Sequence, residues 1–347
     1  MYYPMPERKM YMSNSTDARL IIRSYLATIG ALCVCIVGLL VSGGCGQEQR
    51  SVDLYVDAVV LNELNENEMA IQKLDSAVKL NKRFSLAYSL LGEIYQEMED
   101  YEKSAASYEK ATELNPWSFK DYFNLGRVYQ IMKKFAQAVK AYVKACELKP
   151  DHLEAHINAA KSYYEIKDYN SALIYGERVE QIDPNVSEIQ KMLGDIYESR
   201  KDYDQAIAFY KRALEIDSNN PQIRTSLAVA YLKTERTSIA KELLISVIQI
   251  QPDNNTAYKH LGFCFLQLKD VDKAIESYSR AIEIDDKDWD SHRGLGVAYI
   301  LKGKNEDGTI DDTLKAKAVQ QWRLSLEIKP DQPNRERLLK LIRYYSK

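Results

Sequence analysis

Cysteine, histidine, proline and glycine are all scarce in this chain, and each shortage narrows what it can be. Five cysteines and four histidines in 347 residues leave little material for a metal centre. There is no CxxC pair. Cys33, Cys35 and Cys45 lie in or just after an apolar segment, while Cys146 and Cys264 stand alone far downstream, so neither a zinc site nor a disulfide framework is encoded. His152 and His156 are four apart in DHLEAH, but Leu153 stands where a zinc-protease helix needs Glu. No P-loop, GxGxxG or nucleophile elbow occurs. Nine prolines and 14 glycines argue against long loops. Excess charge is missing too: 47 Lys and Arg face 50 Asp and Glu, and without the first 45 residues the balance is 43 against 48. Such a chain offers no general basic face to a phosphate backbone, so nucleic acid is not an expected partner.

Tyrosine, by contrast, is abundant, with 25 residues, and the hydrophobic fraction of 46% beside 28% charged suffices for a packed and soluble body. The one long uncharged stretch is N-terminal. Between Ser24 and Gln47 there is no charged residue, and Tyr25 to Val41 is almost wholly apolar. Arg19 and Arg23 precede it and Ser42-Gly43-Gly44-Cys45 follows, the order of an export signal. The small residues with Cys45 resemble the lipobox of bacterial lipoproteins, which implies lipidation at Cys45 and a mature chain beginning there. Ser42 stands where that family prefers Leu, and a start at Met10 or Met12 would give a more ordinary signal length. The 17 apolar residues would span about 26 Å as a helix, close to the ~30 Å of a hydrocarbon core. Residues 1–45 therefore suit a lipoprotein signal, an uncleaved single-span anchor or a cleaved signal. All three place the rest of the chain outside the cytoplasm, because the arginines stay inside.

From residue 51 a 34-residue period governs the sequence. The segments AVKLNK (77–82), ATELNP (111–116), ACELKP (145–150), VEQIDP (179–184), ALEIDS (213–218), VIQIQP (247–252) and AIEIDD (281–286) follow one another at that spacing, and SLEIKP (325–330) arrives ten residues late. Position eight of each unit is Ala58, Gly92, Gly126, Ala160, Gly194, Ala228, Gly262 or Gly296. Position twenty is Ala70, Ser104, Ala138, Ala172, Ala206, Ala240, Ala274 or Ala318. Two helices nest closely only where facing side chains are small, so these two rows are expected to meet. Large residues recur at position eleven (Leu61, Tyr95, Tyr129, Tyr163, Tyr197, Tyr231, Phe265, Tyr299) and position twenty-four (Leu74, Tyr108, Tyr142, Gly176, Tyr210, Leu244, Tyr278, Trp322). Rings wedged between helices with hydroxyls at the rim account for the tyrosine excess. Pro116, Pro150, Pro184, Pro252 and Pro330 fall just past each second helix.

In this pattern the chain resembles the tetratricopeptide-repeat family over residues 51–332. The resemblance implies an all-α fold: an α-solenoid, a right-handed superhelix of about eight helix pairs. The units are 51–84, 85–118, 119–152, 153–186, 187–220, 221–254, 255–288 and 289–332, the last with an insertion near 305–314. Residues 333–347 form an amphipathic capping helix, with Leu338, Leu341, Ile342 and Tyr345 on one face. His156 and His292 occupy the place of Tyr88, Tyr122 and Tyr258 and read as packing residues. Cys146 and Cys264, small and apolar in helices more than three units apart, read as inert packing. Gly176 replaces a ring in the fourth unit, which leaves either a soft joint towards the fifth or a gap refilled by Tyr175. In the insertion, Asn305, Asp307, Gly308 and Ile310 sit at calcium-loop offsets. Gly303 and Leu314 stand where its first and last ligands belong, so a solvated acidic turn is expected.

In that family the first helix of each pair lines the concave face, which usually receives peptides or partner domains. By position, the ninth and twelfth residues of each unit are implied to face this groove. They are Glu93 and Gln96, Arg127 and Gln130, Lys161 and Tyr164, and Asp195 and Glu198 in units two to five. In units six to eight they become Val229 and Leu232, Phe263 and Leu266, and Val297 and Ile300. The groove thus turns from polar to apolar. Six apolar residues facing water call for a cover: a partner segment, or the C-terminal helix or insertion folded over them. The family's carboxylate clamp, Lys and Asn at positions five and nine, is absent, since Lys191 is followed by Asp195 and Lys259 by Phe263. Asn124 and Asn158 resemble two rungs of the asparagine ladder in the O-GlcNAc transferase superhelix, without that enzyme's catalytic domain. The expected role is a non-enzymatic scaffold or adaptor anchored in the cell envelope, holding partner proteins or peptide segments. The alternative is an accessory subunit docking a catalytic partner or glycan. No cofactor, metal or small-molecule substrate is expected.

Overall fold

The computed structural model of the protein describes residues 45–346 except Asp307. The signal-like segment, the side chain of Cys45 and hence the lipidation expected there lie outside the described residues. None of the described helices is long and apolar enough to cross a membrane. The described residues form seventeen helices, and their only extended pairing is an isolated bridge between Lys304 and Ile310. They fall into two compact units, one ending at Met98 and one beginning at Glu99.

The first unit holds α1 (Cys45–Glu63), α2 (Asn67–Leu80) and α3 (Ser85–Glu97). Ala58, Ala70, Leu74, Leu91 and Ile94 form its buried centre, and the Tyr55 and Phe84 rings meet at 5.2 Å. The second unit begins with α4 (Tyr101–Leu114), which packs on the first of six consecutive helix pairs. These are α5 (Phe119–Ile131) with α6 (Phe135–Leu148), α7 (Leu153–Glu165) with α8 (Tyr169–Ile182), and α9 (Ser187–Ser199) with α10 (Tyr203–Ile216). There follow α11 (Pro221–Lys233) with α12 (Thr237–Ile250), α13 (Asn255–Gln267) with α14 (Val271–Ile284), and α15 (Trp289–Gly303) with α16 (Asp312–Ile328). Helix α17 (Arg335–Tyr345) closes the series on α16. The fold class is an all-α solenoid, as the period implies.

The backbone repeats as strictly as the sequence. Asn65, Glu99, Lys133, Lys167, Lys201, Glu235 and Lys269, each at position fifteen, all adopt φ between 57° and 64°. This left-handed residue ends the first helix of its unit, and the next amide then returns to the position-eleven carbonyl. Examples are Asp168 N–H to Tyr163 O at 3.0 Å and Asp270 N–H to Phe265 O at 2.9 Å. The carboxylates of Asp168, Asp202 and Asp270 cap the second helix by accepting from Ser171, Gln205 and Lys273 amides. None of the seven left-handed residues is glycine, so no residue type marks this turn in advance.

Packing refines the expected small-residue contact. The glycines of position eight lie against the rings of position twenty-four. A Cβ on Gly126 would come within 2.7 Å of the Tyr142 ring, one on Gly194 within 2.5 Å of Tyr210 and one on Gly262 within 2.8 Å of Tyr278. Gly296 lies under Trp322 in the same way, and Gly294 lies against the hydroxyl end of the Tyr278 ring. Where position eight is Ala160 or Ala228, position twenty-four carries Gly176 or Leu244, and no ring is present. The position-twenty alanines from Ala138 to Ala318 are fully buried.

The gap left by Gly176 is filled from the next unit: a Cβ there would fall 2.8 Å from Leu193, with Met192 beside it. Tyr175, the refilling ring in one of the two outcomes left open by the sequence, packs against the same core and stacks on Tyr163 at 5.4 Å. His156 and His292 are buried, and their Nε2 groups pair with the carbonyls of Pro150 at 2.9 Å and Asp286 at 3.0 Å. His152 caps α7 by accepting the Ala155 amide at 3.2 Å. Cys146 and Cys264 are free and buried, and burial pushes both thiols up to about 12. The insertion is a small turn in which Asn305 N–H donates to Thr309 O at 2.9 Å and Gly308 takes φ 85°. Asp311 then caps α16 through the Leu314 amide at 2.8 Å.

Candidate partner-binding groove

Within the second compact unit, the first helices of successive repeats touch one another, which brings their positions nine and twelve together in one row. In the middle of the second unit that row is polar and internally satisfied. The Tyr210 hydroxyl, on a ring buried under Gly194, lies 2.8 Å from both Asp195 and Glu198. Lys191 adds an ion pair to Asp195 at 2.7 Å. Burial first, and then the two carboxylates, drive the Tyr210 phenol far above its ordinary value. The Tyr142 hydroxyl likewise reaches Gln130 at 2.7 Å. The tyrosines therefore do two jobs: the ring fills the space between helices and the hydroxyl ties down a groove-face side chain. Lys161 is paired with Glu188 at 2.7 Å, and Arg127 is exposed.

Towards the C-terminal end the row becomes apolar and opens into a cavity of about 750 Å³. Val229 and Leu232 from α11, Phe263 and Leu266 from α13, and Val297 from α15 all line it. Five of the six apolar residues singled out from sequence thus share one site. Ile300 does not belong to it. That side chain packs into the cluster of Trp322, Leu338 and Ile342, because α17 lands on α15 and α16 there. Leu301, one residue on, lines the cavity in its place. Arg127, Lys161, Asn124 and Asn158 lie in earlier repeats and take no part in this cavity.

Leu338 and Leu341 of α17 form one wall of the cavity. The helix bounds the site without covering it: Phe263 remains 41% exposed, Val297 37% and Leu301 47%. No described residue of the insertion lines the cavity. It packs on its own helices, with Leu314 and Ile310 close to Gly303.

The rim is cationic. Lys233, Lys259, Lys269, Arg293 and Arg337 border the cavity, against one carboxylate, Asp290. Two of these cations are engaged: Lys259 with Asp288 at 3.5 Å and Arg293 with Asp290 at 2.5 Å. Burial of Asp288 works against its ionisation, but the Ser291 hydroxyl and the Lys259 charge outweigh this and hold the carboxyl below its usual range. His260 also lines the cavity, and burial, helped by Lys259 and Lys233 and opposed by Asp290 and Asp288, pulls its imidazole down to about 4. The ring is thus neutral at physiological pH. No group of three or more His, Cys, Asp or Glu side chains among the described residues is placed to hold a metal ion. The cations and Leu301 were missed from sequence; the C-terminal helix, one of the expected covers, forms a wall of the cavity. Positions five and thirteen carried the signal for Lys259, Arg293 and Lys233; nothing in the sequence shows where α17 docks.

Models of the tetratricopeptide repeat match residues 85–118, 120–152, 198–262 and 256–288. No curated protein matches the sequence. Among solved structures, the fold is similar to the C-terminal part of a TPR repeat-containing protein from Cytophaga hutchinsonii (TM-score 0.56, 15% identity, 72% of this chain and 98% of that one). It is also similar to a tetratricopeptide repeat protein from Parabacteroides merdae (TM-score 0.52, 14% identity, 76% and 99%). A chain of the APC/C hetero-tetramer Cut9–Hcn1 shares the fold over 87% of this chain and 57% of its own length (TM-score 0.52, 15% identity).

Proposed function

Because this chain is a tetratricopeptide-repeat protein, and such repeats are protein-interaction scaffolds, we propose that it is a non-enzymatic adaptor which holds a partner segment in the apolar groove of its last three repeats. One observation carries the proposal. Five apolar side chains from three successive repeats converge on one cavity that α17 bounds but leaves open. Burying a large aliphatic or aromatic side chain is worth ~1.5–3 kcal/mol relative to exposure, so covering Phe263, Val297 and Leu301 is a substantial driving force for association. The polar stretch around Asp195, Glu198 and Tyr210 already satisfies its own groups and offers less.

Phe263→Glu separates docking from folding. Phe263 is half-exposed and outside the buried core, so the variant keeps the native melting temperature and loses its partner in pulldowns from detergent extracts. A sharply lowered melting temperature would mean that the residue is structural. Recovery of enzymes as the lost partners would favour an accessory subunit over an assembly adaptor.

The adaptor is proposed to be tethered to the cell envelope through its N-terminus, with Cys45 lipidated and the repeats outside the cytoplasm. The support is the sequence order of arginines, apolar run, small residues and cysteine. Intact mass of the mature protein tests this: a chain beginning at acylated Cys45 is expected. A full-length mass would instead make residues 24–44 a retained anchor, and plain cleavage would release the repeats.

A further inference from the structure

The rim of the groove narrows the class of partner. Lys259 and Arg293 precede the apolar residues of α13 and α15 by about one helical turn, whereas Lys233 and Lys269 follow those of α11 and α13. Arg337 adds a positive charge from the cap helix. The apolar floor therefore runs between cations on two sides. Lys233, Lys269 and Arg337 have no ion-pair partner among the described residues, and the Tyr278 hydroxyl at the cavity wall has no hydrogen-bond partner among them. This concentration of positive charge is local, because the whole chain carries a formal net charge of −3.

Resting on the docking function proposed above, we infer that the occupant of this groove is an amphipathic helix of a partner protein whose apolar stripe is flanked on both sides by Asp and Glu. A helix places carboxylates along both edges of an apolar face, which matches a floor bordered by cations. An extended strand alternates its faces and would turn those carboxylates away from the rim. The free cations would then form charge-assisted contacts at the edge while Phe263, Val297 and Leu301 are covered.

The test uses the full-length chain in nanodiscs of neutral lipid and three labelled peptides of about 18 residues, five helical turns. All share one Leu/Phe face, and the flanking positions are Glu, Gln or Lys. Fluorescence anisotropy should show the Glu peptide binding about tenfold or more tighter than the Gln peptide, with the advantage shrinking as salt rises. The triple variant Lys233→Glu, Lys269→Glu, Arg337→Glu should prefer the Lys peptide. If it melts early, the Lys→Gln and Arg→Gln set should abolish the preference instead. Equal binding of all three peptides, lost in Phe263→Glu, would overturn the charge inference and keep the groove as a docking site. No binding of any peptide, or binding unaffected by Phe263→Glu, would overturn both. Concentration-dependent dimerisation of the chain alone, lost in Phe263→Glu, would make a second copy the occupant and overturn the inference too.

Discussion

Gly194 lies directly beneath the ring of Tyr210, so close that a methyl group on it would stand 2.5 Å from the ring carbons. The same relation joins Gly126 to Tyr142 and Gly262 to Tyr278, while Ala228 accompanies Leu244. Glycine costs roughly 0.5–1 kcal/mol in a helix interior relative to alanine, and here the ring that fits against it compensates. Gly194→Ala is expected to destabilise the protein by about 1–3 kcal/mol through overpacking, read as a lower melting temperature. Combining it with Tyr210→Leu should recover part of that loss in a double-mutant cycle. Strictly additive effects would show that the two positions are uncoupled.

The left-handed turn at position fifteen offers a stabilising change. Lys201 is exposed and holds φ 62°, a conformation that costs a residue with a Cβ about 1–2 kcal/mol. Lys201→Gly should raise stability by about 0.5–1 kcal/mol, the relief being partly offset by the looser unfolded chain. Lys201→Ala keeps the Cβ and should gain much less. Equal gains from both, measured by chemical denaturation, would place the cause elsewhere.

How much of this was legible beforehand depends on where the information sits. Periodic side-chain size lies in the sequence itself, so the helix pairs, the helix-ending prolines, the cap helix and the residues Val229 to Val297 could all be placed. The partner of each glycine could not, because positions twenty and twenty-four both lie on the facing helix and only coordinates decide which one points across. Ile300 lies outside the cavity for a related reason. Its neighbours are set by where α17 lands, a tertiary event with no local sequence sign. The turns were hidden because Lys and Glu occupy a conformation that usually advertises itself with glycine.

Acid should weaken the fold through its histidines. The imidazole of His260 is held near 4, against 6.5 for the free group, and that of His156 is also lowered, burial being the first cause in both. Folding therefore favours the neutral rings. Their contribution is complete above pH 6.5 and is lost as pH falls from 6.5 towards 4. The melting temperature should drop through that window, and His260→Gln should flatten part of the drop. An unchanged slope in the variant would remove His260 as its source. Lys259, Lys233, Asp290 and Asp288 face the ring, and an acidic ligand would add negative charge beside it.

Leu193 and Met192 fill the place left by Gly176, so the joint between α8 and α9 should be no softer than its neighbours. Hydrogen exchange across residues 153–220 is expected to show even protection. A trough confined to this joint would mean that the leucine packs too loosely to replace a ring.

Site-specific photo-crosslinking in the producing cell asks the docking question without a designed peptide. A photoreactive phenylalanine analogue at Phe263 should give a discrete polypeptide adduct, while the same group at Ile174, 65% exposed but outside the cavity, should give none. Absence of an adduct at 263, or equal adducts at both positions, would contradict the assignment of the apolar groove as the place where this protein holds its partner.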